Sequence, residues 1–324
     1  MRFRFVLAAA IVTLTACSSS ASTAVTTSVA PTTVTPTTAA VTTAVATTAA
    51  PTTTAAATTS TVLAADRPYQ VIAPASYSAT TPLPLVILLH GYSATGDIQN
   101  AYFQMQPLVD TRNFLYVHPD GLVDVREYQY WNATDACCSF VPPNPDDSAY
   151  LMSIIDAVKA KYAVDPKRVF VLGHSNGGFM SYRMACDHAD TIAAIASLAG
   201  ATFDDPSLCK PSEHVSVLQI HGTADQTIKY AGDQIMGHAY PSAEKSVATW
   251  AKYNGCTGTL GVTGKVIDIE SNLAGAETSV AAYSGCPAGV DVQLWTVADG
   301  VHIPGLSANF PTAVLDFLFS HPKP

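Results

Sequence analysis

The chain has 324 residues, and its hydrophobic fraction of 48% is enough to build one sizeable buried core. Charged residues are sparse and mostly acidic, which gives a formal net charge of -9 at pH 7. This balance argues against a nucleic-acid partner, because proteins that bind phosphate backbones normally present a basic surface to them.

The first seventeen residues have the pattern of a bacterial lipoprotein signal. Arg2 and Arg4 precede an apolar run at 5–14, which small residues follow. At about ten residues, this run is too short to cross a hydrocarbon core of roughly 30 Å as a helix. Residues 14–17 (LTAC) resemble a lipobox, in which Cys17 is acylated and begins the mature protein; the alternative is simple cleavage with Cys17 unmodified. We therefore expect a protein at the cell surface or outside the cell, which touches the membrane only through its lipid.

Two further regions follow the signal. Residues 18–65 are dominated by Thr, Ala, Ser, Val and Pro and contain no charged or aromatic residue. Such a segment cannot bury enough apolar area to offset its ordering entropy, so it is predicted to be a disordered linker. Residues 66–324 have a mixed composition and a normal length for one domain, so we expect a single folded domain that is monomeric.

Within residues 66–324, continuous apolar runs alternate with helical patterns. The runs are typical of strands buried on both faces, and they lie at 84–90, 114–118, 169–173, 193–198, 215–220 and 292–297. The helical patterns lie at 149–162, capped by Asp147 or Ser148, and at 177–188, 242–253 and 311–319. This alternation predicts an α/β fold, with a doubly wound, mostly parallel sheet and helices on both faces. Ligands bind such sheets at the carboxyl ends of the strands.

The sharpest chemical motif is residues 173–178 (GHSNGG). A predicted strand leads into it and a helical pattern leads out, which is the context that a G-x-S-x-G nucleophile elbow requires. The glycines permit a tight turn that exposes the Ser175 hydroxyl above the sheet. The Asn176 amide then lies near a helix N-terminus, where negative charge is favoured, and is our first oxyanion donor. The alternative is a glycine-bounded turn whose serine merely caps the helix.

A serine nucleophile needs a base and an acid. In α/β-hydrolases, the fold in which G-x-S-x-G elbows occur, the acid and then the histidine follow the serine in the chain. His302 follows the predicted strand 292–297, and Asp225 follows the predicted strand 215–220, so both should reach the carboxyl edge of the sheet. The competing carboxylates are Asp233, Asp268 and Asp299, on less suitable segments. The competing histidines are His188, His238 and His321, which we interpret as surface residues, whereas His221 is expected to shape the turn before Asp225.

Residues 90–92 (HGY) end the first predicted strand, and the Tyr92 amide is the expected second oxyanion donor. The Tyr92 ring is also a candidate wall of the substrate pocket, with plain packing as the alternative. Trp131 lies in a loop rich in aromatic residues and is a second candidate for substrate contact.

Six cysteines remain after Cys17: Cys137, Cys138, Cys186, Cys209, Cys256 and Cys286. An even number in an exported chain favours disulfides, and six cysteines allow fifteen pairings. A zinc site is the competing interpretation, but neither Cys-x-x-Cys nor His-x-x-x-His spacing is present.

Taken together, the Ser175 elbow, residues 221–225 (HGTAD) and residues 300–302 (GVH) resemble the secreted polyhydroxybutyrate depolymerase and feruloyl esterase family. The resemblance covers essentially all of residues 66–324 and implies an α/β-hydrolase fold with Ser175, Asp225 and His302 as the triad. It also implies that Cys186 pairs with Cys209 and Cys256 with Cys286, which leaves Cys137 and Cys138 to each other or free. One departure concerns the substrate: the family often reads G-x-H-x-W-P-G around its histidine, whereas residues 300–305 here are GVHIPG, one residue shorter and without the Trp.

The predicted chemistry is acyl transfer from an ester to water, with no metal and no organic cofactor implied. The expected substrates are esters met outside the cell, in polyesters or in feruloylated polysaccharides. The rivals on the same fold are a serine peptidase or an acyltransferase, and the rival of another class is a lipid-anchored binding protein that has lost activity.

Overall fold

The computed structural model describes residues 67–324, so the predicted signal (1–17) and linker (18–65) lie outside the described residues. Among the described residues, the strands are β1 (Val71–Ile72), β2 (Leu83–Leu89), β3 (Leu115–Val117), β4 (Leu122–Val123), β5 (Gln129–Tyr130), β6 (Val164–His174), β7 (Ala194–Leu198), β8 (Ser216–Gly222), β9 (Asp233–Ile235), β10 (His238–Tyr240), β11 (Leu260–Ile267), β12 (Thr278–Tyr283) and β13 (Val292–Val297). The α-helices are α1 (Gly96–Phe103), α2 (Val109–Arg112), α3 (Asp147–Lys161), α4 (Asn176–Asp187), α5 (Ala243–Tyr253) and α6 (Asn309–Phe319).

A nine-stranded sheet organises this part of the chain, in the order β1-β3-β2-β6-β7-β8-β13-β12-β11. The six strands from β3 to β13 in that order pair in parallel, whereas β1, β12 and β11 pair antiparallel at the two edges. The predicted mostly parallel α/β sheet is therefore confirmed. All six predicted strands are present, and their parallel direction brings their carboxyl ends to one edge.

The core consists of two layers, one on each face of the sheet. Successive side chains of a strand point to opposite faces, and β2 shows this directly because all seven of its residues are buried. Leu85, Ile87 and Leu89 pack with the layer that contains α3, α4 and α5. Val86 and Leu88 pack with the opposite layer, which contains α6. Burial on both faces explains why these strands appear as continuous apolar runs.

The start of α3 differs from the prediction. Its N-cap is Asp146, which accepts a hydrogen bond from the Ala149 amide at 3.0 Å, so neither Asp147 nor Ser148 caps the helix. Asp147 is instead buried, and its carboxylate contacts the Arg67 guanidinium at 2.6 Å and accepts the Asn132 amide at 2.7 Å. The Asp147 side chain, which the sequence pattern assigned to the helix cap, therefore forms a tertiary ion pair instead.

The sequence pattern did not reveal α1, β11 or β12. The residues of β11 are mostly exposed, and they include glycines and a lysine, so they form no apolar run. Pairing with β12 stabilises this edge instead. Within residues 67–324, no helix has both the length and the apolar character needed to cross a membrane.

Candidate active site

Ser175 lies at the carboxyl end of β6, immediately before α4. Its backbone is at φ 52° and ψ -118°, a region that non-glycine residues rarely adopt and that is common at functional sites. A Cβ atom at Gly173 would clash with the Gly177 backbone, and one at Gly177 would clash with the Leu89 carbonyl. The glycines of the motif therefore let β6, α4 and β2 approach closely enough to form the sharp turn.

A continuous hydrogen-bonded chain links the three residues of the predicted triad. His302 Nε2 lies 3.0 Å from Ser175 Oγ, and His302 Nδ1 lies 2.8 Å from Asp225 Oδ2. Because the carboxylate can only accept, Nδ1 carries the proton and Nε2 is free to accept from the serine hydroxyl. The structure brings together residues that are separated by 127 and 77 positions in the chain.

Asp225 follows β8 and is buried, with an exposed fraction of 2%. Its Oδ1 accepts the amides of Thr227 and Ile228 at 2.8 and 2.9 Å. Burial alone would raise the pKa of this carboxyl, but hydrogen bonds from His221, His302 and the backbone outweigh it and hold the pKa well below its usual range. The carboxylate is therefore ionised at any pH at which an esterase would work.

The alternative acids and bases that the sequence offers are not part of the hydrogen-bonded chain from Ser175 to Asp225. His302 contacts Asp225 rather than Asp233, Asp268 or Asp299. The other histidines occupy separate places: His188 contacts Ser148 Oγ, His238 is exposed on β10, and His321 contacts the Phe317 carbonyl. His221 shapes the Asp225 turn, since its Nε2 lies 2.7 Å from the Ile228 carbonyl.

Two backbone amides beside Ser175 are free to stabilise an oxyanion. Asn176 is the first residue of α4, so its N–H has no acceptor within the helix. On the other side, the Gly91 amide donates to Gln99 Oε1 and the Ser93 amide donates to the Gln129 carbonyl, at 3.1 and 2.9 Å. The Tyr92 amide between them donates to none of the described residues. A Cβ atom at Gly91 would lie 3.5 Å from Ser175 Cβ, which places this segment against the serine.

The Tyr92 side chain is half-buried beside this site. Its hydroxyl donates to Asp124 Oδ2 at 2.6 Å and accepts from Arg126 at 2.5 Å. The rings of Tyr128 and Phe140 meet it edge-on, with centroids at 5.7 and 5.8 Å. Burial and the hydrogen bond to Asp124 raise the pKa of the phenol to about 12. These contacts hold the ring in one orientation beside Ser175.

Trp131 does not occupy the place that we expected for a substrate contact. Its side chain is fully buried, and its indole N–H donates to the His90 carbonyl at 3.0 Å. Its ring packs against those of His90 and Tyr150. The prediction of substrate contact is therefore wrong for Trp131, because its side chain points inward and is buried.

The loop that carries His302 is fastened by residues that sequence analysis missed. His174 Nε2 donates to the His302 carbonyl at 2.8 Å, and Tyr102 donates its hydroxyl to the Pro304 carbonyl at 2.7 Å. The Glu270 carboxylate accepts the Gly305 amide at 2.9 Å. Burial, and then the electrostatic effect of the neighbouring His302 ring, lower the pKa of His174 to about 4. The position of His174 inside the elbow motif was a usable signal, whereas Tyr102 and Glu270 carried none.

Within residues 67–324, the six cysteines form three disulfides, Cys186–Cys209, Cys256–Cys286 and Cys137–Cys138. The first two are the pairings that the family resemblance implies, and the third is one of the two states left open for the adjacent cysteines. In the part of the chain that the structure describes, no group of three or more His, Cys, Asp or Glu residues could hold a metal ion.

Comparisons with known proteins relate this chain to esterases. A family model described as phospholipase/carboxylesterase matches residues 70–255. Feruloyl esterase D of Neurospora crassa is 28% identical over 250 residues, which are 74% of this chain and 74% of that protein. Feruloyl esterase B of Piromyces equi is 33% identical over 188 residues, 55% of this chain and 32% of that protein. Poly(3-hydroxyalkanoate) depolymerase C of Paucimonas lemoignei is 27% identical over 174 residues, 52% of this chain and 39% of that protein.

The relatives include both kinds of protein that the sequence resembles. The chain spans about a third of the length of the Piromyces protein and about two fifths of the Paucimonas protein. An acetyl xylan esterase from Aspergillus awamori has a similar structure, with a TM-score of 0.57 at 14% identity over 80% of this chain and 96% of that chain. At this identity the likeness concerns the fold alone, and together with the sheet it confirms the predicted α/β-hydrolase fold.

Proposed function

This chain belongs to the phospholipase/carboxylesterase family, and from that premise we propose that it is a serine carboxylic ester hydrolase. The observation that carries the proposal is the hydrogen-bonded chain from Ser175 Oγ through His302 to Asp225, at 3.0 and 2.8 Å. A serine that a base can deprotonate, beside two free amides, is the arrangement that acyl transfer requires.

The geometry supports the following mechanism. Ser175 Oγ attacks the ester carbonyl carbon while His302 Nε2 takes its proton, and Asp225 stabilises the imidazolium. The Tyr92 and Asn176 amides hold the oxyanion of the tetrahedral intermediate. His302 then protonates the leaving alcohol, an acyl group remains on Ser175, and water activated by His302 releases it.

For the substrate, we propose an ester with a bulky apolar group, in a polyester or a feruloylated polysaccharide. The names of the relatives include both chemistries. Apolar side chains flank the site: Val301 and Ile303, on either side of His302, are 51% and 64% exposed, and Tyr128 beside Tyr92 is 46% exposed. Such side chains offer contact to an apolar acyl or alcohol group, in place of the Trp that is missing after His302.

We propose that the protein acts outside the cell, anchored by a lipid on Cys17. Three disulfides are consistent with an oxidising compartment, and the lipobox pattern of residues 14–17 supports the anchor. Metabolic labelling with a palmitate analogue tests this: the wild-type chain should incorporate the label, and the Cys17→Ala variant should not.

The test of the activity is steady-state hydrolysis of p-nitrophenyl esters from acetate to decanoate, and of methyl ferulate, by the wild type and by Ser175→Ala. Ser153→Ala is the matched control, because Ser153 lies on α3 and its hydroxyl donates to the Tyr150 carbonyl of the same helix. We expect Ser175→Ala to lose at least a thousandfold in kcat and Ser153→Ala to keep wild-type turnover. A folded wild type without turnover of any ester would refute the proposal in favour of a binding protein, and preferred transfer to an added alcohol would indicate an acyltransferase.

A further inference from the structure

Trp131 connects the two segments that supply the oxyanion amides. On one side, the Asn176 side chain makes a reciprocal pair of hydrogen bonds with the Trp131 backbone. Its Oδ1 accepts the Trp131 amide at 2.7 Å, and its Nδ2 donates to the Trp131 carbonyl at 2.9 Å. The first residue of α4, whose own amide faces the oxyanion, is thereby fixed to Trp131.

On the other side, the Trp131 indole holds the end of β2. Its Nε1 donates to the His90 carbonyl at 3.0 Å, and the two rings pack with centroids 4.8 Å apart. The His90 ring contacts the Gly91 carbonyl through Nδ1 at 2.8 Å and accepts the Gly121 amide at Nε2, also at 2.8 Å. His90 is fully buried, and these partners require a neutral ring with its proton on Nδ1.

The Gly91 carbonyl and the Tyr92 amide belong to the same peptide group. Because that group is planar and trans, its C=O and N–H point in opposite directions. A bond that fixes the Gly91 oxygen therefore also fixes the direction of the Tyr92 N–H. Two donors set this direction: the His90 ring at 2.8 Å and the Ala94 amide, which donates to the same oxygen at 3.1 Å. The Trp131 indole supports the backbone from which the His90 ring projects.

We propose that Trp131 is a positioning residue. It holds the Tyr92 and Asn176 amides in the relative orientation in which both can donate hydrogen bonds to the developing oxyanion. The inference rests on the proposed esterase function. Trp131 is fully buried, so its side chain is not accessible to a substrate. It acts by fixing two donors before the reaction, which is how an oxyanion site gains its advantage over water.

The chain offers matched controls for both halves of this connection. Trp250 is also fully buried, and its indole donates to Thr202 Oγ1 at 3.1 Å. The fully buried Asn254 makes the same reciprocal pair as Asn176, with the Val215 amide at 3.0 Å and the Val215 carbonyl at 2.7 Å. Trp131→Phe is therefore compared with Trp250→Phe, and Asn176→Ala with Asn254→Ala.

The experiment measures kcat and KM for the best p-nitrophenyl ester, the inhibition constant of phenylboronic acid, and Tm. Phenylboronic acid forms a tetrahedral adduct with an active-site serine and so reports on the oxyanion site independently of turnover. We expect Trp131→Phe and Asn176→Ala to lower kcat and boronate affinity by about tenfold each, in parallel, with KM within twofold. The controls should lower Tm comparably and leave kcat and boronate affinity within twofold.

Two results would overturn the inference while leaving the esterase function intact. In the first, Trp131→Phe and Asn176→Ala have the same kcat and boronate affinity as an active wild type. In the second, all four variants lose kcat and boronate affinity in proportion to their loss of Tm. If one variant of either pair fails to fold, the other pair decides by the same criteria. A wild type that hydrolyses no ester is a separate result, because it refutes the proposed function first and this inference with it.

Discussion

At the scale of single residues, the proposed acid is defined by where its two oxygens point. Asp225 uses Oδ1 to accept hydrogen bonds from two backbone amides and Oδ2 to accept a hydrogen bond from His302 Nδ1. The carboxylate thus holds both its own turn and the imidazole. Because its pKa lies well below the usual range, it keeps its charge when the imidazolium forms.

The corresponding prediction concerns Asp225→Asn. The amide preserves the shape but can present an N–H to His302, which favours the wrong imidazole tautomer, so we expect kcat to fall by about 10⁴ with little change in the far-ultraviolet circular dichroism. Asp233→Asn is the control, because Asp233 is a rival acid of the sequence and pairs instead with Lys229 at the surface. A fall of less than tenfold in Asp225→Asn, or an equal fall in Asp233→Asn, would assign the acid elsewhere.

At the scale of secondary-structure elements, apolar runs and glycine motifs in the sequence were enough to predict the buried strands and the sharp turn at Ser175. The runs located the six buried strands, and the rule that ligands bind at the carboxyl ends of parallel strands placed Ser175, Asp225 and His302 at one edge. The sequence pattern did not predict the features that depend on tertiary contacts. The polar α1 and the exposed β11 lack an apolar run, and Trp131 turned inward because its indole finds a buried carbonyl partner.

Helix α1 supplies a prediction about the His302 loop. Tyr102 on α1 donates to the Pro304 carbonyl at 2.7 Å, so Tyr102→Phe should loosen the loop and lower kcat/KM about fivefold. Tyr253→Phe removes the same kind of bond, to the Pro206 carbonyl at 3.0 Å, far from the site. Each substitution should lower the free energy of unfolding by about 1 kcal/mol, measured by urea denaturation, but only Tyr102→Phe should affect turnover. Equal kinetics in the two variants would mean that α1 does not position the loop.

At the scale of the whole molecule, two buried histidines make stability depend on pH. Burial is the main cause that lowers the pKa of both His90 and His174 from 6.5 to about 4. Between these pH values the unfolded chain binds more protons than the folded one, so the free energy of unfolding falls as pH falls from about 6.5 to about 4. Each histidine contributes a loss of about 3 kcal/mol over that window. Asp225 acts only below it, because its contribution is lost as pH falls below 3.8.

The prediction is tested by urea unfolding at pH 8, 6, 5 and 4 for the wild type, His174→Gln and His238→Gln. A glutamine at 174 can keep an N–H donor toward the His302 carbonyl but does not titrate, so this variant should lose about 3 kcal/mol less than the wild type between pH 8 and pH 4. His238 is exposed on β10, and its replacement should leave the wild-type slope unchanged. A slope in His174→Gln equal to that of the other two proteins would show that His174 does not titrate on unfolding, and that other groups cause the loss of stability in acid.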